Sequence, residues 1–400
     1  MNLPMDAALQ HIADQVRAAA ASGTGLRIRG GGSKDFYGHS LQGELLDTRP
    51  LSGITSYEPS ELVVTVRAGT PLAELEAALA EKGQCLPFEP PHFDIPGGGD
   101  VAGNAATVGG MVAAGLSGPA RASAGGVRDY MLGVQLLNGR AEHLTFGGQV
   151  MKNVAGYDVS RLMAGSMGTL GVITDVSLKV LPEAPAEATL VFELDQANAL
   201  AQLHRWGAQP LPLNASCWVH DDTPQAGAAA QQNSGGRDLL FVRLRGAVAA
   251  VEAACQKMLQ AVPGTRMDNA VAAPDWLACR DLRLPFFTAP PAPAMLLWRL
   301  SVAQTAPSLG LPWPQLVEWH GGLRWWWAPQ EAAAQVHEAA ERARGNASIF
   351  IASEALSMRA RGQFDSQIRL KTPLDGIHRR LKAEFDPAGI FNRGRLIADL

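Results

Sequence analysis

Leu9, Ile12 and Val16 recur at helical spacing near the start of the chain, and Ser22-Gly23 supplies a stop, so an amphipathic helix is the first element predicted. Leu26 to Arg29 reads as a strand that runs straight into Gly30-Gly31-Gly32-Ser33. The run Leu62-Val63-Val64-Thr65-Val66 predicts another strand, ended by Gly69. Thr70 and Pro71 then offer an N-cap and a first-turn proline for a helix carrying Leu72, Leu75 and Leu79, closed by Gly83. Together these describe a small α/β unit. Met131–Leu137 is a further apolar strand, and Val172, Val176, Leu178 and Val180 share one face of the next, opposite Asp175, Ser177 and Lys179. Pro182 and Pro185 mark a boundary.

Beyond that boundary strand-like and helix-like stretches alternate. Thr189–Leu194 precedes a helix over Ala197–Trp206, then Cys217–His220; Leu239–Leu244 precedes a helix over Ala247–Val262. Strand–helix–strand twice over predicts one or two split βαβ units on an antiparallel sheet. Leu296–Val302, Gln315–Trp327, the helix Glu331–Arg344 and Ser348–Ala352 continue the pattern, and a last helix over Ile377–Phe385 leads into the tail Asp386–Asn392.

At 400 residues the chain exceeds one hydrophobic core, so two domains are expected. Hydrophobic residues make up 47% and charged ones 18%, a globular balance that excludes wholesale disorder. A net charge of −4 argues against nucleic acid, which calls for a basic face. No apolar run approaches the ~20 residues of a transmembrane helix. The N-terminus carries Asp6 and Asp14 and lacks a basic segment followed by an apolar one, so a cytoplasmic location is expected. Cys85, Cys217, Cys255 and Cys279 are widely scattered with no Cys-x-x-Cys pair, and read as isolated buried thiols. Neither a zinc ribbon nor an iron–sulfur site within this chain is therefore indicated.

Three glycine-rich motifs carry candidate chemistry. Arg29-Gly30-Gly31-Gly32-Ser33 follows a strand and can turn several backbone N–H groups onto one anion, although a plain tight turn fits as well. The dinucleotide fingerprint that opens a helix does not fit, because Lys34-Asp35-Phe36-Tyr37-Gly38 is not an amphipathic helix. The second motif starts at Ala106-Thr107-Val108-Gly109-Gly110 and runs through Gly115 to Gly118, where small residues permit either a large flat ligand or tight helix packing. It lies in a glycine-dense stretch that also holds Gly97, Gly98, Gly99 and Gly103. The third, Gly165-Ser166-Met167-Gly168-Thr169-Leu170-Gly171-Val172-Ile173-Thr174, turns into a strand.

At these separations the three motifs resemble the FAD-binding domain of the vanillyl-alcohol-oxidase (PCMH-type) flavoproteins, over essentially all of residues 10–182. The block Lys152-Asn153-Val154-Ala155-Gly156-Tyr157-Asp158-Val159-Ser160-Arg161-Leu162 is similar to the 2-hydroxy-acid branch of that family. The ending Phe385-Asp386-Pro387 and Ile390-Phe391-Asn392-Arg393-Gly394-Arg395-Leu396 matches the family's closing signature, with Arg393 in place of the usual proline. The resemblance implies an α+β fold. A PCMH-type FAD-binding domain of two α/β subdomains would span 1–182 and an α+β domain with an antiparallel sheet 183–375. The segment 376–400 would return to the flavin domain.

It also implies FAD. The pyrophosphate would be held by the backbone of Gly30, Gly31, Gly32 and Ser33 beside Arg29, with further contacts from Thr107, Gly109, Gly110, Gly115 and Gly118. The backbone of Val172 and Ile173 would line the adenosine side. Covalent members carry a histidine at about the position of Ser33, so a noncovalent flavin is implied. The function implied is an FAD-binding subunit of a glycolate-oxidising complex. Its partners would be a sister FAD-linked glycolate oxidase subunit and an iron–sulfur subunit, with peripheral contact to the inner membrane face through the complex. An autonomous FAD-dependent dehydrogenase of 2-hydroxy acids such as D-lactate, and a flavin-binding subunit of purely structural role, are the alternatives.

One departure bears on catalysis. Catalytic relatives of this branch carry H-x-G-D-G-N-x-H, two histidines that hold a divalent metal; here the nearest stretch is His320-Gly321-Gly322-Leu323-Arg324-Trp325-Trp326-Trp327. Imidazole ligates metals and indole does not. No metal site is expected, and His320 reads as a leftover strand residue. Alternation along a strand would turn at least one of Trp325 to Trp327 outward, as at a protein interface. Arg280 and Arg283 could clamp a carboxylate or form surface salt bridges. His39 and His92 read as ordinary polar residues, and Asp158 as a helix N-cap or an active-site acid.

Overall fold

Asp6 starts the first helix, α1 (Ala7–Ser22): its carboxylate accepts the Leu9 N–H at 2.9 Å, and Gly23 ends the helix at φ 72°. The structure, a computed structural model, describes residues 6–39, 42–93, 106–148, 157–222, 236–288, 290–351 and 373–397. The chain divides into two units, one made of 1–117, 125–183 and 360–400, the other of 118–124 and 184–359.

In the first unit β1 (Leu26–Arg29) pairs in parallel with β2 (Glu44–Asp47). The C-terminal tail lies along the other edge of β1, where Leu26 N–H donates to Ile390 O at 2.7 Å and Asn392 N–H to Leu26 O at 2.9 Å. β3 (Ile54–Glu58) and β4 (Val63–Arg67) belong to a five-stranded antiparallel sheet; β5 (Gln84–Cys85) stands apart. That sheet also holds β6 (Met131–Leu137), β7 (His143–Gly147) and β8 (Val172–Lys179), in the order β3-β4-β8-β6-β7, while β9 (Leu181–Pro182) pairs with β5. Helix α2 (Leu72–Ala80) seats Leu72, Leu75 and Leu79 against Val64, Val66 and Val176 of the sheet, all at 0% exposure. Each such leucine contributes roughly 1.5–3 kcal/mol. Thr70 does not cap α2 as expected. Pro71 stands at the cap position, and the Thr70 hydroxyl turns to the Gly53 N–H at 2.9 Å, tying a neighbouring turn to the sheet.

The second unit is an eight-stranded antiparallel sheet. β10 (Ala186–Glu193), the helix Gln196–Gly207, β11 (Leu213–Asp221), β12 (Arg237–Gly246), the helix Val248–Ala261 and β13 (Thr265–Arg266) stand in the order β13-β10-β12-β11. β14 (Met295–Ser301), β15 (Gln315–Glu318), β16 (Leu323–Pro329), the helix Ala333–Arg342 and β17 (Asn346–Ile351) stand in the order β15-β16-β14-β17. Both quartets read 4-1-3-2 in their own chain order, the second in mirror direction. The sheet is therefore two split βαβ units joined edge to edge, β11 on β15, with Trp218 opposite Val317. The half formed by β14 to β17 has no helix between its first two strands, β14 and β15.

Two expectations are corrected here. Gln315–Trp327 is a hairpin of two strands, and none of Trp325, Trp326 and Trp327 faces outward: they are 3%, 0% and 3% exposed. β16 lies inside the sheet, and both faces are covered. Phe287 and Phe350 pack edge-on against Trp325, while Trp326 stands opposite Trp298, which packs on His337 of the helix Ala333–Arg342. Each indole N–H finds an acceptor, the longest of the three at 2.9 Å. The cysteines are free thiols but not all isolated. Cys279 Sγ lies 3.2 Å from Glu318 Oε1, opposite Cys217 across the strands, and its hydrogen bonding with Cys217, then burial and the Glu318 carboxylate, push the Cys279 thiol well up.

Candidate functional site

β1 delivers the chain at Arg29 into a cavity whose wall is made by Arg29 to Ser33, Thr107, Gly109, Gly110 and Ile173. Glycine is required locally. Gly32 has φ 85°, and a Cβ on Gly30 would lie 2.3 Å from Thr107 Oγ1. Thr107 in turn caps the helix α3 (Val108–Ala114) by accepting the Gly110 N–H at 3.2 Å, and the Gly109 N–H donates to Ala68 O at 2.7 Å. The amides of Gly109 and Gly110 are thus engaged within the protein. Those of Gly31, Gly32 and Ser33 are not: among the described residues none of them meets an acceptor. Consecutive unmet N–H groups on a cavity wall have the form of a nest suited to an anion.

The nest is braced from the far end of the chain. Asn392 Oδ1 accepts the Ile28 N–H at 2.8 Å and its Nδ2 donates to Met167 O at 2.6 Å, which links β1 to the turn Gly165–Gly171. Arg395, 4% exposed, donates to the carbonyls of Lys34 (3.0 Å), Asp35 (3.1 Å) and His39. Burial lowers its pKa only to about 10, so it remains a cation on the cavity wall at neutral pH. Lys382 donates to Thr169 O, Phe391 O and Asp386, each at 2.8 Å, while Asp386 accepts the N–H groups of Ile390 and Phe391. Sequence reasoning placed Asn392 and Arg395 in the closing signature without assigning them to the site. The signature was the signal.

Other candidates stand elsewhere. Gly115 is the left-handed C-cap of α3 at φ 65°, and Val172 is fully buried opposite Leu137; neither lines the cavity. Gly118 belongs to the second unit, where its carbonyl accepts from Trp319 Nε1 at 3.0 Å. Asp158 caps the helix Val159–Met163 through the Arg161 N–H, and Arg280 and Arg283 both pair with Asp281, at 2.8 and 3.3 Å. His92 meets Glu76 at 2.8 Å, and the His39 N–H donates to Arg395 O at 3.1 Å. Gly97, Gly98, Gly99, Gly103 and Lys152 to Gly156 lie outside the described residues.

A family model described as an FAD binding domain matches residues 7–147. Glycolate oxidase subunit GlcE of Escherichia coli (strain K12) is 41% identical over 391 residues, 98% of either chain. The chain belongs to the GlcE family of glycolate oxidase subunits. More distant from this GlcE-family chain is GlcD of Bacillus subtilis (strain 168), 29% identical over 160 residues, 40% of this chain and 32% of that one. D-2-hydroxyglutarate dehydrogenase of Xanthomonas citri pv. viticola is 28% identical over 165 residues, 41% and 33% of the two chains. Among solved structures an alkyldihydroxyacetonephosphate synthase superposes with a TM-score of 0.63 at 16% identity, covering 96% of this chain and 75% of its own. The fold is that of the PCMH-type flavoproteins.

In the second unit of this GlcE-family chain His320 is no leftover strand residue. It sits in the turn between β15 and β16 at φ 53°, as does Trp319, two successive left-handed residues of the strained kind that cluster at functional sites. Its N–H and Nδ1 both lie 3.0 Å from Ser216 Oγ, and its Nε2 lies 3.0 Å from Ser123 Oγ. Ser216 satisfies both groups by accepting from the N–H and donating to Nδ1, which leaves Nε2 to donate to Ser123. Arg121 and Arg299 stack on the Trp319 ring at 4.7 and 5.3 Å. Burial lowers the His320 pKa from 6.5 to about 4. The unfolded chain therefore binds the proton first as pH falls, and stability is lost between pH 6.5 and 4 while staying flat above. His320→Gln removes this titration. Melting temperatures across pH 4–8 should show the wild type falling relative to the variant only on the acid side, and parallel curves would refute the assignment.

Proposed function

We propose that this chain is the FAD-carrying subunit of a glycolate-oxidising complex and holds its flavin noncovalently. The observation that carries the reading is the trio of unmet N–H groups at Gly31, Gly32 and Ser33 on the wall of one cavity, which suits a pyrophosphate and little else in a protein interior. Bound FAD would supply acceptance of an electron pair from the carbinol carbon of a 2-hydroxy acid and release of electrons to an iron–sulfur partner. The chain's own part is to hold it. The nest takes the phosphates, Arg395 adds positive charge at the wall, and Thr107 keeps α3 pointed at the site. Ser33 offers a hydroxyl where a covalent link would call for an imidazole. A sister flavoprotein subunit would take the glycolate, an iron–sulfur subunit the electrons, and the assembly would rest on the inner face of the membrane.

Acid precipitation of the purified chain is expected to release all flavin, identified as FAD at one equivalent per chain, into the supernatant. Fluorescence that stays with the denatured polypeptide would refute the noncovalent reading, and absence of flavin would refute the cofactor itself.

A further inference from the structure

The turn Gly165–Gly171 is a wall with two sides. Met167, Gly168 and Gly171 line the nest cavity, whereas Ser166, Thr169 and Leu170 line a second cavity of about 250 Å3 in the same unit. The helix Leu374–Phe385 contributes His378, Leu381 and Lys382 to it, and Arg128 and Arg161 stand at its edge. Among the described residues no carboxylate lines this cavity. Two of its cations are already matched, Arg161 by Asp158 at 3.3 Å and Lys382 by Asp386 at 2.8 Å. The Arg128 guanidinium and the His378 ring have no hydrogen bond or ion pair among the described residues. Ser166 is 6% exposed, and its Oγ has no partner.

A buried hydroxyl without a partner is costly in a native structure and calls for a reason. Here the hydroxyl, a guanidinium and an imidazole, none with a partner among the described residues, line one cavity whose apolar lining includes Leu162, Leu170, Leu381 and Leu396. Unmatched donors beside an apolar wall are complementary to an anion with a carbon body. The volume lies just below the ~300–1,000 Å3 of drug-sized sites, which limits that body to a few carbons.

We propose that this cavity is a second ligand site, for a short-chain alkyl carboxylate, distinct from the flavin nest. Arg128, His378 and Ser166 take the carboxylate, and the leucines take the chain. Because the Gly165–Gly171 turn is shared, the ligand also bears on the nest from behind. That coupling rests on the flavin reading above, whereas binding itself does not.

Calorimetric titration of the full chain with hexanoate, and with hexylamine as the charge-reversed control, tests the site. Hexanoate should bind saturably at one per chain, with or without flavin, and hexylamine should not bind. Arg128→Ala combined with His378→Ala removes two surface groups and should weaken hexanoate by about tenfold or more, since each contact to a charged head is worth about that factor. Ser166→Ala, from inside the cavity, should weaken it as well, with a melting temperature that does not fall. Absence of hexanoate binding, equal binding of hexylamine, or unchanged affinity in both variants overturns the proposal. Loss of co-purifying subunits from the double variant, with no hexanoate binding by the wild type, would mark the cavity as a protein-docking surface and overturn it too. In the flavin-loaded chain hexanoate should also alter flavin fluorescence. No change there overturns the coupling alone, and a chain that binds hexanoate but never FAD overturns the flavin reading alone.

Discussion

Gly30→Val is expected to cut the FAD content of the purified chain to about a tenth of wild type or less. A Cβ at this position would stand 2.3 Å from Thr107 Oγ1 and 3.2 Å from its Cγ2. Thr107 cannot simply rotate away. Its hydroxyl caps α3 through the Gly110 N–H, and its backbone bridges to Pro71. The overlap must be relieved by moving the Gly30–Ser33 turn, whose three unmet N–H groups are the proposed phosphate donors. Overpacking of this kind costs about 1–3 kcal/mol, and 1.4 kcal/mol is already tenfold in an equilibrium constant. Gly207→Ala serves as the control, since a Cβ there meets nothing within 4 Å. Visible absorbance per chain after desalting decides the matter. A folded Gly30→Val protein with a full flavin complement would mean that the phosphates lie elsewhere.

The sequence showed the first unit's elements because each depends on near neighbours. The 3.6-residue spacing of Leu9, Ile12 and Val16 and the alternation from Val172 to Val180 act within a single helix or strand, and glycine runs announce a turn wherever they fall. What escaped was set by distance along the chain. The bond from the Ile28 N–H to Asn392 spans 364 residues, and the contact of Cys279 with Glu318 spans 39, so no local pattern reports either. The tryptophans show a second limit. Alternation says which residues share a face of β16 but not whether that face is covered. Here Phe287 covers one face and the helix Ala333–Arg342 the other. Thr70 shows a third limit, competition: a hydroxyl suited to capping α2 found the Gly53 N–H instead.

The isolated, FAD-loaded chain is expected to oxidise glycolate at least about 100-fold more slowly than the assembled complex. Oxidation of a 2-hydroxy acid calls for a cation that fixes the carboxylate and a base that takes the hydroxyl proton, and such a positioned base is worth about 10²–10⁴ in rate. The second unit can provide the first. Arg121 and Arg299, stacked on Trp319, are suited to a carboxylate. The base that its described residues place next to Trp319 is a weak one. His320 has both ring nitrogens within 3.0 Å of serine hydroxyls, and burial holds its pKa at about 4, so it is a feeble proton acceptor at neutral pH. Trp327, where the family motif would place the second metal-holding histidine, is buried with its indole N–H on Phe286 O at 2.7 Å. A carboxylate clamp beside so weak a base would bind substrate without turning it over. Glycolate and D-lactate should therefore fail to reduce a dye in the presence of the chain alone and do so once the partner subunits are added. Sustained turnover by the loaded chain on its own, untouched by a chelator, would place the missing base in this chain and restore the autonomous dehydrogenase.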